Sequence, residues 1–194
     1  MDEVSASAIG YRDLIVFQLN NADHWLSRGQ SSDDSFAQFF FYFAGFNALY
    51  FLWKIVDNLD ARREGRRTPE IEQIDNLLSK LNDDEAARIL SGASRSVAFF
   101  SKRPIQQMEN RTPLVPGQGE QRKGIERCQQ LGDTTATPVD RVTALGRILY
   151  LVRCNLVHGG KADRGDDEHV IEKAVPALKA LLTASVELTR RKDR

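Results

Sequence analysis

A chain of 194 residues, 41% hydrophobic and 28% charged, supports one sizeable core and leaves little room for a second, so residues 1–194 are read as a single domain. Lys+Arg and Asp+Glu are equal at 27 each, which excludes a global field drawing the protein to nucleic acid or an anionic membrane; such binding has to come from local patches. Two cysteines, Cys128 and Cys154, are too few for a disulfide framework, and the opening MDEVSASAIGYR lacks the basic start and apolar stretch of a secretory signal, so the cytoplasm is the expected compartment.

The elements in chain order are helices, with almost none of the alternating β-branched runs a strand needs. A first helix is expected over about residues 5 to 28, with Ile9, Leu14, Phe17, Trp25 and Leu26 among its apolar positions. SSDD at 31 to 34 then offers several N-caps for a second helix running to about residue 62. Within it, FAQFFFYFAGFNALYFLW at 36 to 53 carries no charge and is nearly long enough to span a bilayer. Its polar Gln38 and Asn47, its central Gly45 and the preceding Asp33 and Asp34 argue instead for burial by other helices. Phe39, Phe43, Phe46, Tyr50 and Trp53 follow at three- and four-residue steps, the stripe of a central bundle helix.

ARREGRR interrupts the pattern, and Thr68-Pro69 reads as the N-cap and first turn of a third helix whose buried side is Ile71, Ile74, Leu77, Leu78 and Leu81. Asn82 or Asp83 restarts a short helix to about Leu90, and SVAFF at 96 to 100 suits another. Between Lys102 and Gly119, three prolines and two glycines make a surface excursion rather than a long helix. A helix near 120 to 131 and the turn DTTATP follow; Thr137-Pro138 then opens a helix through VDRVTALGRILYLVRCNLVH that ends at Gly159 and Gly160. Asp166 to Glu168 place negative charge at the start of a last helix to about Arg190, with a kink expected at Pro176. The fold class is all-α, a single-domain helical bundle without repeats of solenoid length.

An arginine followed five residues later by a histidine occurs twice, as Arg153 with His158 and as Arg164 with His169. The pattern alone is unspecific. Context favours the first pair, because Arg164 is read into the loop KADRGDDE, whereas Arg153 belongs to the last turns of an apolar helix whose packing fixes its backbone. On an ideal helix the two side chains lie about 140° apart and about 7.5 Å along the axis. Their convergence needs the reach of the arginine, loosening of the helix at the glycines, or a second copy of the chain. Cys154 and Asn155 are the same-face neighbours of His158 and can orient its ring. A helix C-terminus favours the imidazolium, which suits a group that takes and gives protons near neutrality.

Two stretches, LYLVRCNLVHGGK at 149 to 161 and FFYFAGFNALYFLW at 40 to 53, resemble the HEPN superfamily of helical nucleotide- and RNA-associated proteins. The second is similar to that family's aromatic helix, and the order of elements around both also fits. The resemblance implies a metal-independent endoribonuclease that works as a homodimer, with the two motif copies meeting in one cleft and Arg153 and His158 as the catalytic pair. It further implies a toxin or phage-defence effector, with an antitoxin or regulatory protein as a possible partner. Active members usually carry a polar residue after the arginine, where this chain has Cys154.

In that mechanism His158 is the general acid/base and Arg153 stabilises the charge gathering on phosphorus. The products are a 2′,3′-cyclic phosphate and a 5′-hydroxyl. No cofactor is expected: the chain has no CxxC, no HExxH and no histidine cluster. The basic groups available to RNA are Lys161 beside the motif, Arg62, Arg63, Arg66 and Arg67 in one loop, and the RRKDR tail. The alternative function is a non-catalytic HEPN module binding RNA, a nucleotide or a partner protein. A membrane-attached protein using residues 36 to 53 is a third, and recovery without detergent would exclude it.

Overall fold

A computed structural model describes residues 3–60, 68–105, 120–157 and 164–192. Among these residues every regular element is a helix: α1 (Glu3–Gln30), α2 (Ser35–Asp60), α3 (Glu70–Leu78), α4 (Asp83–Gly92), α5 (Ser94–Phe100), α6 (Glu120–Gly132), α7 (Pro138–Val157) and α8 (Arg164–Lys192). The all-α bundle expected from the periodicity is thus observed.

Several helix starts follow from the residues that cap them. The Asp34 carboxylate accepts from the Phe36 and Ala37 amides at 2.7 and 3.1 Å, opening α2. Asn82 and Glu85 form a reciprocal capping box at α4, and the Thr137 hydroxyl accepts from the Asp140 amide at 3.1 Å at α7. The third helix begins at Glu70, not at Pro69; Pro69 is extended, with φ −53° and ψ 146°. Gln73 is buried there and donates to the Thr68 carbonyl at 2.7 Å, so the first turn is tied down by a side chain further along the helix. The last helix begins at Arg164, two residues earlier than expected. That corrects the reading of Arg164 as a loop residue: Asp167 and Glu168 fall within the first turns of a helix that has already begun, where negative charge is favoured. The same helix continues through Pro176 without a break.

α2 is the central element. Phe39, Phe46, Leu49 and Leu52 are fully buried and Tyr50 nearly so. By length and composition α2 would cross a membrane, but 56% of that stretch is buried against protein. It runs antiparallel to α1, whose Trp25 stacks on Phe41 with ring centroids 5.7 Å apart. The buried face of α1 is Ile15, Leu19 and Ala22, whereas Phe17 is 59% exposed and lies outside the core. α8 runs alongside α2: Leu182 lies beside Gly45, and the Trp53 indole donates to the Thr189 hydroxyl at 3.0 Å. A Cβ on Gly45 would lie 3.0 Å from Leu182 and 3.3 Å from Trp25, so this glycine sets how closely α1 and α8 approach α2.

α3 and α7 pack antiparallel beside α2. Glu70 faces Arg153, Asp75 faces Arg147, and Ile74 and Leu78 face Gly146. A Cβ on Gly146 would lie 2.5 Å from Leu78 Cδ1 and 3.1 Å from Ile74 Cγ2, so these two fully buried side chains would have to shift. Gly146→Ala is therefore expected to lower stability by about 1–3 kcal/mol despite its better helix propensity. Urea unfolding measures this, and an unchanged or raised midpoint would contradict the close α3–α7 contact.

Candidate functional site

Arg153 occupies the last turn and a half of α7, a helix whose other faces are packed. Leu149, Val152, Cys154 and Asn155 are buried, the last two at 5% and 8% exposure. The Arg153 side chain keeps 28% of its surface in solvent. Its guanidinium carbon stands 5.7 Å from the centre of the Phe43 ring on α2, and Nη1 is 3.9 Å from Glu70 Oε2 on α3. At that separation the ion pair is electrostatic rather than hydrogen bonded.

The contrast with Arg147, two turns earlier, is chemical. Arg147 makes a two-pronged bridge to Asp75, Nε to Oδ1 at 2.7 Å and Nη2 to Oδ2 at 2.8 Å, and the Asp75 carboxylate raises its proton affinity further. Its hydrogen-bonding fork is committed to the fold. Among the described residues Arg153 has instead a longer, one-sided contact to Glu70.

Two tyrosines complete the surroundings. The buried Tyr50 hydroxyl donates to Glu70 Oε1 at 2.6 Å. Burial pushes its phenol well above the ordinary range, and the hydrogen bond to Glu70 adds to this. Tyr150, one turn before Arg153, is likewise raised, first by burial and then by the adjacent Cys154 thiol and Glu70 carboxylate. Glu70 thus lies among Tyr50 from α2 and Tyr150 and Arg153 from α7.

The phenol shifts set a pH dependence. In the unfolded chain both tyrosines ionise near their ordinary value of 10.0, whereas in the fold they hold their protons to higher pH. The folded state then binds more protons than the unfolded state above pH 10, so stability falls as pH rises through and beyond that value. Melting curves between about pH 8 and about pH 11 should show a shallower alkaline decline for Tyr50→Phe than for the wild type. Identical slopes would mean that Tyr50 is not held neutral.

Of the residues singled out in the sequence, Arg153, Cys154 and Asn155 are therefore placed. Cys154 points into the packed side of α7 beside Tyr150, and Asn155 lines a small cavity with Asp167 and Val170 between α7 and α8. His158, Lys161 and the arginines Arg62, Arg63, Arg66 and Arg67 lie outside the described residues. The competing His169 is half exposed on α8, 3.8 Å from Glu172 and edge-on to Phe99. Among the described residues, no group of three or more His, Cys, Asp or Glu side chains is arranged to hold a metal ion.

Glu70, Tyr50 and Tyr150 were not expected in the site. Tyr150 was within reach of a sequence argument, standing three residues before Arg153 on the same helical face. A groove of about 410 Å³ between α4 and α8 shares no lining residue with this cluster. Both signs of charge line it, from Arg88 and Lys179 to Glu85 and Glu187. Compared with known proteins, the chain matches no family model, no curated protein and no solved structure.

Proposed function

We propose that the chain is a metal-independent endoribonuclease of HEPN type, acting as a toxin or defence effector through Arg153 and His158. The observation that carries this reading is the state of Arg153: a partly exposed guanidinium over an aromatic ring, with a 3.9 Å ion pair to Glu70 among the described residues, five positions before His158 in the sequence. Arg147, on the same helix and comparably exposed, instead directs two N–H groups to the Asp75 carboxylate.

In this reading His158 takes the proton from an RNA 2′-hydroxyl or gives one to the departing 5′-oxygen. Arg153 binds the phosphate oxygens and stabilises their added charge as the 2′-oxygen attacks. The exposed apolar residues Val157, on the Arg153 side of α7, and Phe40 and Phe51, on the stripe of α2 bordering Phe43, support a homodimer formed through this face. The protein is expected to act in the cytoplasm and to be restrained by an antitoxin or regulator.

The test is incubation of purified protein with a mixed RNA pool in excess EDTA, followed by analysis of the ends. The expected products carry 2′,3′-cyclic phosphate and 5′-hydroxyl ends, and DNA survives because it lacks the 2′-hydroxyl. RNA that is bound but left intact would favour the non-catalytic module instead.

A further inference from the structure

The carboxylate nearest Arg153 is not a free surface acid. Glu70 begins α3, where the helix N-terminus favours negative charge, and the preceding residues are tied to that helix by Gln73 and the Thr68 carbonyl. One oxygen accepts from the buried Tyr50 hydroxyl at 2.6 Å, and Tyr150 approaches from α7. Three helices therefore fix this one carboxylate. Its second oxygen faces the guanidinium, whose other side meets Phe43.

The geometry points to Glu70 as the positioning residue for Arg153, held by Tyr50 so that the guanidinium keeps one orientation on Phe43 with its remaining N–H groups directed away from the carboxylate. This rests on the reading of Arg153 as the phosphate-binding arginine. An untethered arginine would sample many rotamers and bring its fork to the phosphate only part of the time. A two-pronged carboxylate, like that of Asp75 on Arg147, would hold it firmly but occupy the N–H groups a phosphate needs. The long, one-sided contact satisfies both demands.

The experiment uses the full chain with Glu70→Gln, which keeps the size and the acceptor for Tyr50 but removes the charge, and Tyr50→Phe, which releases the carboxylate and keeps the ring. Two readings are taken: cleavage rate at saturating RNA beside RNA affinity, and the mobility of the Arg153 Nε–H group by NMR, identified by its loss in Arg153→Lys. Thermal melts accompany both. The expected result is an ordered Arg153 signal in the wild type that becomes mobile in both variants, with the saturated rate falling roughly tenfold and affinity changing less than about twofold.

Faster cleavage or tighter RNA binding by Glu70→Gln would overturn the proposal, making Glu70 a competitor of the phosphate. An Arg153 signal as mobile in the wild type as those of surface arginines would also overturn it. An ordered, Glu70-dependent Arg153 in a protein that cleaves no RNA would uphold the positioning role and defeat the nuclease reading, which keeps the two failures apart.

Discussion

On the endoribonuclease reading proposed above, Arg153→Lys is expected to cut the RNA cleavage rate by roughly 10²–10³-fold, the range for losing one preorganised donor to transition-state charge. Lysine keeps the positive charge but has neither the planar fork nor the same stacking on Phe43. The fold should hardly notice, because a partly exposed pair at 3.9 Å contributes about 0–1 kcal/mol. Arg147→Ala supplies the opposite pattern: a lower melting temperature from the lost Asp75 bridge, with cleavage per folded molecule retained. Comparing kcat and unfolding midpoints for the two variants checks the assignment. Equal activity in Arg153→Lys and wild type would remove Arg153 from the chemistry.

The largest stability effect is expected at Phe46. Its side chain is fully buried at the centre of α2 and meets Phe43 edge-on at 6.4 Å and Tyr50 at 5.5 Å between ring centroids. Phe46→Ala should cost about 3–5 kcal/mol, the sum of lost burial and the cavity left behind. That is a large fraction of the 5–15 kcal/mol by which domains of this kind are usually stable. Urea denaturation followed by far-UV circular dichroism measures it. The same variant should loosen the support of Arg153, since Phe43 and Tyr50 both lean on this ring. A loss under about 1 kcal/mol would mean that the α2 stripe is not packed as described.

The order and type of the helices were legible because they are local. Caps at Asp34, Asn82 and Thr137 act within three residues of themselves, and the Phe39 to Trp53 stripe states its own burial at three- and four-residue steps. Errors fell at ends and faces. Arg164 joined α8, where the sequence suggested a loop, and Phe17 turned outward because neighbouring Ile15 and Leu19 take the buried face of α1. The place of Arg153 near the end of α7 was legible from the helix pattern. Glu70 was not: it stands 20 residues from Tyr50 and far from Arg153 in sequence, and is brought to both by α3 packing alongside α2 and α7. Tyr50 was recognised for its ring, while its hydroxyl acquires a role only through that contact. The Arg147 bridge, spanning 72 residues, was hidden for the same reason.

The pairing of α2 with α8 also bears on how the chain leaves the ribosome. Trp53 and its hydrogen-bond partner Thr189 are separated by 136 positions, so the most apolar helix emerges long before the helix that seals one of its sides. At about 5–20 residues per second the wait is on the order of ten seconds, during which the side of α2 that α8 will cover stays open or is held by a chaperone. A message truncated before α8 therefore yields a chain whose central helix lacks cover on the side that Leu182 and Thr189 occupy.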